Sequence, residues 1–238
     1  MHSIFQYLIF AFILLVTVPV IGQNQIQDSI RHSSADSLYR EDQIYVGVTY
    51  NLLLDMPSGA SARGLSGGLQ MGFVRDMPIN KRRNVSVAIG GGLAYDYFGQ
   101  NLFIGENPDG TSLFKVLDSD VDYDRNRFGM ATIEAPIEFR WRTSTATEYR
   151  FWRVYTGIRV GYAFYHKSSF KAGNDIQTQS KIPEFDPLRL SATLSFGYNT
   201  FNFFASYSIN PFFKEAFTEE GEKVDFRTLK VGLMFYIL

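Results

Sequence analysis

The chain has 238 residues, enough for one domain, and a formal net charge of −1 that gives no electrostatic reason to expect nucleic acid as a partner. It holds no cysteine, which excludes disulfides, thiolate metal sites, a cysteine nucleophile and a cysteine-linked lipid anchor within these residues. Phe, Tyr and Trp make up 16% of it, a bias that suits strands and, for Tyr and Trp, the interface between water and lipid.

Residues 4–21, IFQYLIFAFILLVTVPVI, form an apolar run followed by the polar stretch QNQIQDS. The run is short for a membrane span and has Pro19 near its end, so it reads as the core of a signal peptide over 1–22, cleaved near Gly22–Gln23. Its leading segment is atypical, with His2 and no Lys or Arg. Residues 23–42 are polar and read as a periplasmic N-terminal tail, with one helical turn expected around Ile30. No later stretch reaches the length of a spanning helix, so any further insertion must use strands.

From residue 43 the pattern alternates with period two, which predicts strands with two unlike faces. Eight are expected, near 43–53, 64–74, 85–97, 129–141, 151–165, 188–199, 201–210 and 227–238. In the first, Ile44, Val46, Val48, Tyr50 and Leu52 oppose Tyr45, Gly47, Thr49 and Asn51. In the fifth, Trp152, Val154, Ile158, Val160, Tyr162 and Phe164 oppose Arg153, Tyr155, Arg159 and Gly161. One face is aliphatic and aromatic throughout; the other is Gly, Ser, Thr, Asn and charge. A soluble barrel puts its apolar face inside. A narrow barrel whose interior suits small and polar groups must turn the apolar face outward, and lipid is what makes that face stable.

The connections alternate as well. RDMPINKRRN, RTSTATEY and Asn199–Thr200 are short, whereas most of the others are longer, the longest at 98–127. Short periplasmic turns and longer extracellular loops are the expected asymmetry of an all-β, eight-stranded antiparallel transmembrane β-barrel over 43–238. The cellular outer membrane of a Gram-negative bacterium follows as its location. In the last strand Lys230, Gly232, Phe235 and Ile237 have the spacing polar-x-Gly-x-x-aromatic-x-hydrophobic, similar to a C-terminal outer-membrane assembly signal. The chain departs from that signal by ending on Ile237–Leu238 rather than on an aromatic residue.

The stretches APIEFRWR (135–142), FWRVYTGIRVGYAF (151–164) and LKVGLMFYIL (229–238) resemble the outer-membrane β-barrel domain family of Bacteroidota, which includes PorT-like subunits of the type IX secretion system. The resemblance covers nearly the whole mature chain and implies a role in protein secretion or envelope assembly.

Three constellations invite a chemical reading. Glu134, Glu138, Arg140, Arg153 and Arg159 fall on the inward face of the fourth and fifth strands. They read as a paired charge network filling the barrel, with a selectivity filter as the alternative, and removal of Arg153 is expected to strand Glu134 or Glu138. Asp118, Asp120, Asp122 and Asp124 alternate in the long loop but lack the Gly and Glu of an EF-hand, so a solvated acidic loop is favoured over a calcium site. His166 and Ser168 have the H-x-S spacing of some lipid A deacylases, yet the parity of the fifth strand sets His166 outward or at the rim. Gly90, Gly91 and Gly92 suggest a bend, and Pro136 an irregularity in its strand.

The expected function is therefore a non-enzymatic barrel serving as a structural or accessory subunit, with a small-solute pore and a lipid A-modifying enzyme as alternatives. Expected partners are outer-membrane lipid and outer-membrane or periplasmic proteins, with no nucleic acid; no cofactor or metal is expected.

Overall fold

The computed structural model describes residues 42–118, 120–143 and 152–237. The signal peptide expected at 1–22, the expected tail up to residue 41, the turn between the fourth and fifth expected strands, and Leu238 lie outside the described residues. The strands are β1 (Asp42–Leu54), β2 (Gly67–Pro78), β3 (Val85–Gly99), β4 (Leu102–Glu106), β5 (Ser112–Val116), β6 (Arg125–Arg142), β7 (Trp152–Ala172), β8 (Asp175–Gln179), β9 (Leu188–Tyr198), β10 (Phe201–Ser208) and β11 (Arg227–Ile237).

Eight of them close an antiparallel barrel. Its order is β6-β3-β2-β1-β11-β10-β9-β7, and β6 pairs with β7 to complete the ring. First and last strands are zipped together from Ile44↔Ile237 to Leu54↔Arg227. Closure leaves no open edge along the ring, so each backbone donor and acceptor there can be met by a neighbouring strand. A bilayer demands this, because it offers no water to satisfy an orphaned group.

The alternating sequence decides which way each side chain turns. Ile44, Val48, Leu69, Met71, Leu93, Ile133, Ile158, Leu194 and Phe203 are exposed on the outer wall. Two aromatic levels bound this wall. Trp141, Trp152, Tyr198 and Phe201 stand at the short-turn end, and Tyr50, Tyr95, Tyr162 and Tyr207 at the long-loop end. From Trp152 to Tyr162 along β7 is about 33 Å of strand, or about 25 Å of height at a tilt near 40°, which matches the apolar band of an outer-membrane barrel.

Two departures from regular pairing have local causes. The β3–β6 ladder pairs Ile89 with Ile137 and Gly92 with Glu134 but skips the residues between. Pro136 lies in that gap and has no N–H to give, so the irregularity expected there takes the form of an interrupted ladder. The register shift falls elsewhere. Ala131 pairs with Tyr165 and Thr132 with Ala163, so Phe164 is an extra residue in β7. This β-bulge reverses the parity of everything beyond it.

At the long-loop end the connections fold over the mouth. The 98–127 segment is not an open loop: β4 and β5 form a hairpin within it. Phe98, Phe128, Phe185, Phe212, Phe213 and Phe226 share a buried cluster with Leu102, Ile104 and Phe114 from the hairpin region. Ring centroids lie 5.2 Å apart for Phe98–Phe212 and 5.3 Å for Phe114–Phe213, both edge-to-face. Burying each such ring stabilises the cap by roughly 1.5–3 kcal/mol relative to leaving it exposed.

Candidate functional site

The lumen between the short turns and this cap is filled by charge. Nearest the short turns, Arg140 is fully buried and donates to Asp76 at 2.6 Å, to Glu138 through two nitrogens at 2.8 and 2.9 Å, and to Gln43 at 3.0 Å. Its guanidinium also faces the Tyr155 ring at 4.4 Å and the Tyr236 ring at 5.2 Å. Arg142 donates to the other oxygen of Asp76 at 3.1 Å. A planar fork of five donors suits this site, since it can serve two carboxylates and an amide while stacking on aromatic faces.

The middle level is built on Arg159. It pairs with Glu134 at 2.5 Å, donates to Gln70, and lies 3.8 Å from Glu138. Tyr45 also donates to Glu134, at 3.1 Å. The phenol needs room, and glycine provides it: a Cβ at Gly92 would stand 2.0 Å from the Tyr45 hydroxyl, and one at Gly72 would stand 2.6 Å from the same ring. The glycine run expected as a bend therefore serves, at Gly92, to seat an interior side chain. Higher still, Lys230 pairs with Asp96, and Asn51 donates to the same carboxylate at 3.0 Å.

All five residues of the expected charge network turn inward, and four of them meet: Glu134 with Arg159 and Glu138 with Arg140. Arg153 does not stand between those acids. It is buried at the short-turn end of β7, where the register sets it beside Arg142. Its removal would leave Glu134 and Glu138 with their partners, which corrects the expectation above. Sequence reasoning missed Asp76 and Arg142 because both were assigned to turns. β2 and β6 run further than their clearest alternation, and the inward parity continues to both residues.

In the C-terminal motif, Lys230 and Gly232 face inward and Phe235 and Ile237 outward. Gly232 is close enough to β1 that a Cβ would meet the Val48 carbonyl oxygen at 2.0 Å.

Two other candidates change meaning. The bulge at Phe164 turns His166 inward rather than outward, and its ring packs on Phe185 at 4.3 Å. Ser168 is buried on the same side, but no hydrogen bond joins the pair. Asp118, Asp120 and Asp122 are exposed, and Asp124 pairs with Lys171 at 3.3 Å. Among the described residues no cluster of three metal-ligating side chains forms.

One titratable group anchors the outer loops. Asp186 accepts from the Leu188 amide at 3.1 Å and pairs with Lys214 at 2.9 Å. Burial pushes its carboxyl up, but the Lys214 hydrogen bond, the Leu188 amide and the charges of Lys214 and Arg189 together hold it below the usual carboxylate range.

A closed antiparallel ring, an apolar outer wall between two aromatic levels and a polar interior define an integral outer-membrane β-barrel. Residues 23–214 match the family described as outer membrane protein beta-barrel domain, and the chain belongs to that family. It is thus a protein of the Gram-negative outer membrane. Among curated proteins none matches. Among solved structures, the chain is similar to Ail, the attachment invasion locus protein of Yersinia pestis, at 15% identity and a TM-score of 0.39, over 82% of this chain and 97% of that one. Ail in complex with the heparin analogue sucrose octasulfate gives 15% identity and a TM-score of 0.34 over the same shares.

Proposed function

We propose that this protein is a non-enzymatic, non-conducting barrel that acts through its surfaces as an accessory subunit, in protein secretion or envelope assembly. The observation that supports this reading is the doubly blocked lumen. Arg140 and Arg159 with their acids fill the barrel, and a phenylalanine cluster fills the mouth above them. Eight strands leave an interior that side chains of this length can fill. The small-solute pore is disfavoured on the same ground. The lipid A-modifying enzyme is disfavoured because a nucleophile needs its base within hydrogen-bond reach, and His166 packs against phenylalanine instead.

Within that reading, the resemblance of 135–142, 151–164 and 229–238 to PorT-like barrels suggests the type IX secretion machinery, with outer-membrane or periplasmic proteins as the proposed partners. Tagged protein extracted from native membranes in mild detergent tests this. Recovery of a defined stoichiometric complex, with loss of cargo export in a deletion strain, is the expected result. A barrel that extracts alone, with normal export and an altered lipid A mass on deletion, would replace the proposal with the enzymatic reading.

A further inference from the structure

At the long-loop end, β6 and β7 continue past the aromatic level of Tyr95, and their outward side chains change from apolar to cationic. Ala131 stands at the level of Tyr95 and Tyr165. Beyond it the outward positions are Gly129, Arg127 and Arg125 on β6 and Lys167, Ser169 and Lys171 on β7. The bulge at Phe164 is what puts the lysines there: without the extra residue, Lys167 and Lys171 would turn into the lumen. At about 3.4 Å per residue and a tilt of about 40°, the Lys167 backbone lies about 5 Å and that of Arg127 about 10 Å above Tyr95, in the headgroup layer of the outer leaflet. We propose that this surface holds a phosphate group of an outer-leaflet glycolipid, seated at Gly129 between Arg127 and Lys167.

Two independent observations carry the assignment. The first is charge. Lys171 is matched by Asp124 at 3.3 Å, but among the described residues Arg125, Arg127 and Lys167 have no ion-pair partner. The other acids of this corner, Asp120 and Asp122 in the loop before β6 and Asp175 on β8, are exposed, and none of them pairs with these three cations. Cations on a wall that faces the bilayer, just above its apolar band, suit an anionic headgroup.

The second observation is shape. Gly129 leaves a notch in the outer wall between its register partners, Tyr97 on β3 and Lys167 on β7. The Tyr95 hydroxyl overhangs that notch, 3.2 Å from where a Cβ at Gly129 would stand. Arg127, two residues along the same face, has its guanidinium 5.7 Å from the centre of the Tyr97 ring. A phenol, an ammonium and a guanidinium therefore border one gap, and none of the residues around it is an acid. That donor set suits a phosphate, whose oxygens can be shared between the guanidinium fork and the point charge of the lysine. Because the notch opens toward the bilayer rather than toward the mouth, a phosphate carried by a lipid is the occupant it faces. The inference rests on the barrel and its orientation and is independent of any role in secretion.

The full-length barrel, reconstituted in phosphatidylcholine nanodiscs, tests this. Bisphosphorylated lipid A and the same lipid with its phosphates removed are the probes, and lipid retained on the intact protein is read by native mass spectrometry. The phosphorylated form should be retained preferentially, and less so at high salt. Arg127→Gln and Lys167→Gln should each weaken retention about fivefold, the effect expected for one cation at a membrane surface. Gly129→Val keeps every charge and fills the notch, so it should weaken retention as well, whereas a diffuse attraction would not respond to it. If Gly129→Val does not fold, the two charge variants still decide the matter. Equal retention of both lipids, or retention unchanged in Arg127→Gln and Lys167→Gln, would overturn the proposal. So would a preference for a soluble polyanion, heparin, over the phosphorylated lipid.

Discussion

Arg140 joins Asp76, Glu138 and Gln43 by hydrogen bonds and faces two tyrosine rings, so its loss should be strongly felt. Arg140→Ala would leave Asp76 and Glu138 buried with fewer donors. It should destabilise the barrel by about 3–5 kcal/mol, read as a lower urea midpoint for the folded species in detergent. Arg140→Ala combined with Glu138→Gln should cost less than the sum, because the two groups share one contact. Asp186 supplies the pH dependence. Its carboxyl is depressed, so its contribution is complete above the ordinary carboxylate value of about 4 and is lost as pH falls through the lower folded value. Hydrogen-exchange protection in residues 182–188 and 211–214, taken relative to the intrinsic rate at each pH, should therefore fall in acid, and Asp186→Asn should flatten that response. An unchanged acid response in the variant would remove Asp186 from the account.

At the scale of elements, the barrel strands were legible because each had to answer to lipid outside and a narrow polar lumen inside, and both demands repeat every second residue. β3, β9 and β10 start where their alternation starts. The cap was not legible, for a physical reason. Its phenylalanines come from the long-loop ends of β3 and β6, from β5 and from loops around 185, 212 and 226, and no local period marks residues that meet only when the ring closes. The apolar content of PFFKEAF at 211–217 was the available signal, since a fully solvated loop has no use for it. The bulge at Phe164 was equally hidden, and with it the inward turn of His166. Because the cap is a separate apolar cluster above the charged layer, it should fail separately. Phe213→Ala should cost about 3–5 kcal/mol there. Limited proteolysis should then cut after Lys214 or Lys223 while the barrel strands stay protected; global unfolding in place of local cutting would show that cap and barrel form one cooperative unit.

For the molecule as a whole, the apolar wall, the aromatic levels and the ring closure account for residence in the outer membrane, while the contents of the lumen are what the proposed non-conducting role rests on. Arg140 and Arg159 with their acids fill the lumen and the phenylalanine cluster fills its mouth, so the proposed role leaves recognition to the loops, the lipid-facing wall and the periplasmic side. Steady conductance of the purified wild-type protein in a planar bilayer tests that claim directly. The doubly blocked lumen predicts a silent membrane at applied voltages that leave the bilayer intact. Stable, ohmic single-channel steps from the wild-type chain would contradict it.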